Sequence, residues 1–465
     1  MKKTILLCGL LLAFVLFSCS SDDDGGTTQQ FVAAFENPSM SFTADDASKE
    51  VKLVFSKTAP EDGTVTITYT TVNAEYGTHF TTDPSGEEGT IEVPITAGSN
   101  QSTFTFNKLA NPIEGTEMSV SFKLEAITNP NSAIQGNTTL AVSFTESAAV
   151  GGVMAPEVGG PDQPNQVYVD LSAQTQTVVK RDAWDLGFYS GESFRVVLNE
   201  SVYMAAAPLE VTDIDAVTEA DVAALQPNVA VGIPGSNVYV DNPSGDIQET
   251  VIAEVSETDT DNKVYLVNLG INIGGSIHVP GGSRGWKKIR VLRQGNDYVL
   301  QYADLNATTH EEVVVSKAEG YNFTFFSFSS GEQASVEPMK NKWDLNFTHY
   351  IDLLSFQGDD YAYTYQDFIV SNTKAGITAY QVAVSDFTYE DFTSENIVEA
   401  NLSADQRSIG SSWRNAGGPN AQPSIKEDVF YVLKDADGNY YKIRFTAMYN
   451  ESGERGYPKF EYSLL

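Results

Sequence analysis

The chain has 465 residues, of which 28 are Lys or Arg and 62 are Asp or Glu, so its formal charge is −34. That acidic excess excludes non-specific electrostatic binding to nucleic acid or to an anionic lipid surface, because both kinds of binding need clustered cations. A hydrophobic content of 41% excludes disorder, while two Cys and four His exclude a Cys-rich zinc site or a disulfide framework.

The N-terminus has the composition of an export signal. Lys2 and Lys3 precede an apolar run at residues 5–17, which is too short to span a bilayer as a helix. The run ends in LFSC, residues 16–19, which resembles the lipobox of bacterial lipoproteins. The resemblance implies a signal peptide at residues 1–18 and lipid attachment at Cys19. An ordinary secretory signal with an incidental Cys is the alternative.

Residues 19–30 form an acidic tether directly after that signal. The sequence SSDDDGG at 20–26 predicts a solvated spacer. It also resembles the acidic stretch that sends some Gram-negative lipoproteins to the outer face of the outer membrane. We therefore expect a mature protein that is lipid-anchored in the outer membrane and exposed at the cell surface.

Most of the chain after the tether has the patterning of β-strands. VTITY at 65–69 and SVSFKL at 119–124 alternate apolar and polar residues with period two, as half-buried strands do. Turn motifs such as PEDG, DPSG and DADG separate runs of this kind. The pattern predicts an all-β chain of antiparallel domains with few short helices.

Short strands at residues 31–146 indicate an Ig-like β-sandwich. AEYGTHF at 74–80 and EGTE at 114–117 resemble the Calx-β pattern, although His79 stands where that pattern has Asp. A calcium site needs several oxygen ligands, so we expect a spacer sandwich instead. The Gly- and Pro-rich residues 147–164 then predict an interdomain linker.

The remainder of the chain contains a degenerate repeat. VYVDLSAQTQTVVKRDAWDLGF, which ends at Phe188, corresponds to FTFFSFSSGEQASVEPMKNKWDLNF, which ends at Phe347. Further correspondences follow in the same order in both copies. In the last of them, KKIRV of the first copy corresponds to YKIRF of the second. Matches in a constant order indicate tandem copies of one β-domain. We place them at residues 165–322 and 323–465.

Each copy contains a WDLxF motif. In a strand, Trp184, Leu186 and Phe188 share one face, and the second copy repeats this arrangement. We expect each trio to form buried core, with the intervening Asp on the opposite face. A ligand-stacking tryptophan is the alternative, for which Trp286 and Trp413 in Gly-rich loops are the better candidates.

The second copy resembles the HmuY family of haem-binding surface lipoproteins. The resemblance rests on WDLNF at 343–347, SSW at 411–413, VFYVLKDADGNYYKIRFT at 429–446 and GYPKFEY at 456–462. The first copy matches more loosely, through WDLGF and FRVVLN. The resemblance implies an all-β, lipid-anchored fold that holds haem between two loop-borne axial ligands, His or Met, and passes it to an outer-membrane receptor.

The ligands implied by the family do not carry over to this chain. The loop WRNAGGPNAQP at 413–423 contains neither His nor Met, and residues 226–263 of the first copy contain neither. Haem iron takes an imidazole or a thioether, so other residues have to be considered. The candidate haem-binding residues are His278, Met204, His349 and Trp413.

Each of these candidates also has a purely structural interpretation. His278 lies in a Gly-rich loop, where an exposed His is the alternative to a ligand. His349 follows Phe347 by two residues and suits a packed His at a strand end. Met204 suits core filler. The spacing of these residues in the sequence does not identify any two of them as a pair of haem ligands.

Catalytic motifs are absent from the sequence, which contains no GxSxG elbow, P-loop or HExxH. We therefore expect a binding protein and not an enzyme. The function we predict is capture of haem, or of a haem-carrying protein, at the cell surface for uptake. The alternative is a non-haem binding or adhesion module that retains the fold without its haem ligands.

Overall fold

A computed structural model describes residues 30–43, 46–145, 147–274, 282–418 and 421–465. Strands dominate this part of the chain, and its one α-helix is the single turn Glu219–Val222. The prediction of an all-β chain is confirmed. The chain forms two compact units, one made of the residues up to Asn111 with Glu117–Thr145, and the other of Pro112–Thr116 with the remainder to Leu465.

The first unit is a sandwich of two five-stranded sheets. The sheets have the strand orders β5-β7-β3-β1-β9 and β2-β10-β8-β4-β6. The predicted alternation is realised, since Val65 and Ile67 of β4 and Val120 and Phe122 of β8 all enter one shared core. The strands are β1 (Phe31–Phe35), β2 (Ser39–Phe42), β3 (Ser48–Phe55), β4 (Gly63–Val72), β5 (Phe80–Asp83), β6 (Thr90–Ile95), β7 (Gln101–Lys108), β8 (Ser119–Ile127), β9 (Ser132–Ile134) and β10 (Thr139–Phe144).

The second unit contains twenty of the described strands. They are β11 (Gly151–Met154), β12 (Asn165–Asp170), β13 (Thr175–Lys180), β14 (Leu186–Tyr189), β15 (Val196–Leu198), β16 (Ala205–Pro208), β17 (Val264–Asn268), β18 (Trp286–Gln294), β19 (Asp297–Ala303), β20 (Glu311–Val315), β21 (Phe323–Ser327), β22 (Glu332–Ala334), β23 (Leu345–Phe356), β24 (Asp359–Ser371), β25 (Thr378–Ala383), β26 (Arg414–Asn415), β27 (Ser424–Ile425), β28 (Val429–Lys434), β29 (Tyr440–Tyr449) and β30 (Arg455–Leu464).

These strands form four large sheets and one small one. The orders are β11-β30-β29-β28-β25, β13-β12-β23-β24, β15-β14-β21-β22 and β16-β17-β18-β19-β20, with β26-β27 as a separate pair. One five-stranded sheet therefore consists of strands of the first copy, and the other consists of strands of the second copy together with β11, which precedes both copies. The two four-stranded sheets each contain strands from both copies.

The segment that we predicted to be a linker contributes to the second unit. Its strand β11 pairs antiparallel with β30, the last strand of the chain. Gly151 has φ 140°, and a Cβ at this position would lie 2.6 Å from the carbonyl oxygen of Tyr462. The glycine that suggested a linker is instead required for close approach of two backbones.

The two copies exchange their first hairpins. The β12–β13 hairpin of the first copy pairs with β23 of the second, with Val167 opposite Phe347. Reciprocally, the β21–β22 hairpin of the second copy pairs with β14 of the first, with Leu186 opposite Phe326. Each copy therefore completes a sheet of the other, which explains why the repeat region forms one compact unit.

The WDLxF motif is buried, but its residues do not share one core as predicted. Leu186 and Phe188 belong to a large core of the first copy, whereas Trp184 belongs to a small separate cluster. The strand begins only at Leu186, so the alternation does not extend back to the tryptophan. The same separation holds in the second copy.

Candidate binding cavities at the hairpin exchange

A small aromatic cluster lies where the exchanged hairpins meet. Trp184 packs edge-on against Phe325, with ring centroids 4.7 Å apart and an interplanar angle of 73°. Trp343 packs against Tyr168 at 4.9 Å and 79°. Each tryptophan of one copy thus contacts an aromatic residue on the hairpin of the other copy.

Asparagine side chains hold both tryptophan backbones in equivalent ways. Asn199 Nδ2 donates to the carbonyl oxygen of Trp184 at 2.8 Å, and Asn372 Nδ2 donates to that of Trp343 at 2.9 Å. Both asparagines are buried. The same hydrogen bond from an asparagine side chain therefore holds the tryptophan backbone in both copies, as expected for a duplicated element.

A central cavity lies beside this aromatic cluster. The free space between its walls, including the part open to solvent, is about 870 Å³. Residues of both copies and both exchanged hairpins line it, which places the cavity at the junction of the repeat. Its aromatic walls are Tyr168, Trp184, Phe323, Phe325, Trp343 and Tyr350.

Several polar atoms of the central cavity have no hydrogen-bond partner. Each side chain concerned is less than 10% exposed. Buried polar groups normally find a partner, and leaving one unpaired costs about 1–3 kcal/mol. This concentration points to a space that a ligand or water fills. The atoms are Gln166 Nε2, Trp184 Nε1, Glu200 Oε1 and Oε2, Trp343 Nε1, Asn346 Oδ1, Thr348 Oγ1, His349 Nε2 and Ser371 Oγ.

The charged residues of the central cavity are mainly acidic. Burial raises the pKa of Asp241 to about 6 and that of Glu337 to about 7, against opposing backbone hydrogen bonds. Burial also raises the pKa of Glu200 well above its usual range. Lys374 is the basic side chain on the same wall, and burial lowers its pKa. Among the side chains that line this cavity, Lys374 is thus the one whose charge would stabilise a negatively charged group.

A second, polar cavity adjoins His349. Its walls include Asp162, Arg181, Tyr203 and Gln366, together with Gly274. His349 lines both cavities. Gly274 is the last described residue before the segment that carries His278.

His349 is buried within β23, and its surroundings differ from those of Phe347. The pairing of β23 with β24 shifts register between Thr348 and Tyr350. His349 of β23 lies opposite two residues of β24, so the extra residue belongs to β24, and the side chain of His349 lines both cavities. Its Nδ1 lies 3.4 Å from the Tyr203 hydroxyl. Burial, followed by the charges of Arg181 and Arg455, lowers its pKa well below the usual value.

Two of the other predicted site residues, Met204 and Trp413, do not line the cavities that His349 lines. Met204 is completely buried in the core of the first copy, where it acts as filler. Trp413 does not face a ligand, because its Nε1 donates to the carbonyl oxygen of Asp367 at 3.0 Å and its ring packs 4.6 Å from that of Phe445. His278 and Cys19 lie outside the described residues.

Sequence reasoning missed most of the central cavity. Trp184 and Trp343 were expected to be core, and Gln166 carried no signal. The available indication was the recurrence of WD in both copies, because a duplicated buried Trp–Asp pair can mark a contact between the copies. Within the described residues no group of three or more His, Cys, Asp or Glu is placed to hold a metal ion, and no helix there is long and apolar enough to cross a membrane.

The fold and its cavities define an all-β binding protein built from two related copies, preceded by a sandwich. Comparison with protein families identifies the copies: the family described as HmuY protein matches residues 162–306 and 319–462, more than half of the chain. The chain belongs to the HmuY family, a family of surface-associated binding and uptake proteins. No curated protein matches the chain.

Solved structures with similarity to the chain are distant in sequence. An apo HmuY analog from Tannerella forsythia is 10% identical, with 69% of this chain and 97% of that chain covered and a TM-score of 0.25. A two-domain protein of unknown function from Bacteroides fragilis is 10% identical, with coverages of 64% and 90% and a TM-score of 0.20. The apo Calx CBD1 domain is 12% identical, with coverages of 25% and 100% and a TM-score of 0.21.

Proposed function

We propose that this protein is an outer-membrane surface lipoprotein that captures haem, or a haem-carrying protein, and that His349 is the haem ligand of the chain. The observation that carries the proposal is the unpartnered Nε2 of His349 at the wall of two cavities. Family membership supports haem as the cargo. An outer-membrane receptor would then receive the haem.

The state of His349 fits an axial ligand of haem. Haem iron is bound by a neutral imidazole, and the lowered pKa of His349 keeps its ring neutral at physiological pH. A ligating His has its other nitrogen oriented by a second group, which the Tyr203 hydroxyl supplies at Nδ1. Arg181 on the wall of the polar cavity adds positive charge near a propionate-bearing ligand.

His278 is the second residue to test as a ligand. The chain enters its segment at Gly274, on the wall of the polar cavity that His349 also lines. Titration of the mature protein with haemin is expected to give a saturable shift of the Soret band at micromolar haemin. Absence of any shift would contradict haem capture. A spectrum unchanged by His278→Ala would remove His278 from the site and leave His349.

Anchoring by lipid is the second part of the proposal. The lipobox resemblance at residues 16–19 supports acylation of Cys19, and several acyl chains hold a protein stably in a membrane where one would not. Cys19→Ser is expected to abolish incorporation of labelled fatty acid and to release the protein from the membrane fraction. Unchanged labelling of this variant would show that the lipid is attached elsewhere or that the signal is an ordinary secretory one.

A non-haem binding module is the second candidate function. The acidic side chains Asp241 and Glu337 of the central cavity favour it, because in their ionised form they would repel the two propionates of haem. The loop at 413–423 also lacks His and Met. A protein that shows no Soret shift while binding another small molecule in the central cavity would establish this alternative.

A further inference from the structure

The central cavity has features that haem capture does not use. Besides His349 Nε2, its unpartnered atoms include groups that the proposed haem ligation does not use, foremost the indole N–H groups of Trp184 and Trp343. Both tryptophans are more than nine-tenths buried. Indole nitrogens in such positions normally donate to an acceptor. These donors need acceptor atoms that the described residues around them do not provide.

The unpartnered atoms include both donors and acceptors. Trp184, Trp343 and Gln166 present N–H donors. Asn346 presents a carbonyl acceptor, and Glu200 presents both of its carboxyl oxygens. Two hydroxyls add groups that can do either, those of Thr348 and Ser371. A ligand that satisfies this set must offer acceptors and donors over a short distance. Hydroxyl groups do both, whereas an ammonium offers donors alone.

The charges of the cavity select against anions. Glu200, Asp241 and Glu337 line it together with Lys374. Asp241 already accepts the backbone N–H groups of Leu198 and Val251 at 2.8 Å each, so its carboxylate is fixed to the protein. A carboxylated ligand would add negative charge beside these groups.

The aromatic walls of the cavity suit a small ring. Two aromatic pairs, Trp184 with Phe325 and Trp343 with Tyr168, border it from the two copies. A sugar ring has apolar C–H faces that pack on aromatic surfaces and hydroxyls at its rim.

We propose that the central cavity at the hairpin exchange is a second binding site, specific for a neutral sugar residue whose hydroxyls bond to the indole N–H groups of Trp184 and Trp343 and to the Gln166, Asn346 and Ser371 side chains. The site goes beyond haem capture, since it needs neither His349 nor His278. It forms only because the two copies exchange hairpins, so both copies contribute to one ligand.

Saturation-transfer NMR and calorimetry on the mature full chain test this site, with glucose, galactose and N-acetylglucosamine as probes and glucuronic acid as the charged counterpart. We expect saturable binding of at least one neutral sugar, and binding of glucuronic acid at least tenfold weaker than that of glucose. Absence of saturable binding for all three neutral sugars, or preference for glucuronic acid, would overturn the proposal and leave a cavity filled by water.

Variants locate the binding. Trp343→Phe removes one indole donor, and Ser371→Ala removes one hydroxyl with little change in volume; each is expected to weaken sugar binding at least fivefold. Trp286→Phe is the control, since Trp286 packs against a different core and should not change binding. Equal affinities in all variants would place the sugar elsewhere and overturn the proposal. Soret titration of the same variants reports on haem separately, so either site can fail alone.

Discussion

Asp185→Asn is expected to lower the free energy of unfolding by about 3 kcal/mol, whereas Asp344→Asn should lower it by less than about 1 kcal/mol. The two aspartates are equivalent residues of the repeat and anchor the exchanged hairpins alike. Asp185 Oδ2 accepts the N–H of Phe328 at 2.7 Å, and Asp344 Oδ2 accepts that of Leu171 at 2.8 Å. Asparagine keeps a carbonyl acceptor for either contact.

The difference comes from the charge around each carboxyl. Arg284 forms an ion pair with Asp185 at 2.8 Å, and both side chains are buried. Removing one partner of a buried pair leaves the other charge uncompensated. Among the described residues no ion pair reaches Asp344; burial, with the acidic neighbours Asp170 and Asp435, raises its pKa well above the usual range. A neutral amide therefore replaces a carboxyl that is already disfavoured as an anion.

Urea denaturation of both variants at neutral pH measures the difference. Asp344→Ala is the control, because it removes the acceptor of the Leu171 N–H and should cost about 1–3 kcal/mol. Equal destabilisation by Asp185→Asn and Asp344→Asn would contradict the proposed role of Arg284. A tolerated Asp344→Ala would show that the hairpin does not depend on this contact.

The free energy of unfolding is expected to fall as the pH rises from about 5 to 8, and this is the second large effect that we expect. Burial raises the folded-state pKa of Asp241 to about 6 and of Glu337 to about 7, from ordinary values of 3.8 and 4.5. The folded state therefore binds protons more tightly than the unfolded state between these values, so the unfolding free energy decreases as the pH rises through them. Carboxyl groups with lowered pKa, such as Asp46 at about 2, are already ionised in this window. His349, whose pKa is lowered well below 6.5, opposes the trend only up to its unfolded-state pKa.

Glu337→Gln isolates one of these groups. Glutamine keeps an acceptor for the N–H groups of Asn322 and Phe323, both 2.8 Å from Glu337 Oε1, and it does not titrate. Between pH 5 and 8, we expect the free energy of unfolding to fall by about 2–3 kcal/mol less in the variant than in the wild type. Chemical denaturation at the two pH values measures this, with Glu451→Gln in an exposed turn as the control. Parallel pH profiles would contradict a buried, proton-binding Glu337.

Local pattern sufficed to predict the strands and the repeat. The alternation at 65–69 and 119–124 lies within β4 and β8, where every second side chain is buried. Alternation is a local property that does not depend on which strand lies alongside. The ordered matches between the copies likewise required no knowledge of packing, and the family match covers both copies.

Pairing between distant strands could not be predicted in this way. The residues of β12 would alternate in the same manner beside β14 of their own copy as they do beside β23, so the pattern does not distinguish local from exchanged pairing. Two further features depend on the pairing between distant strands. Trp184 leaves the core of Leu186 because it meets Phe325 of the other copy. His349 lies between the two cavities, where β23 and β24 shift register.

The central claim is that His349 holds haem, and the most direct measurement is a Soret titration of wild-type protein and His349→Ala with haemin. We expect a saturable shift in the wild type and a loss of at least tenfold in affinity, with a changed band position, in the variant. His310→Ala is the matched control, because His310 pairs with Asp215 at 2.9 Å away from both cavities, and it should behave as the wild type. A wild-type spectrum retained by His349→Ala would contradict the claim.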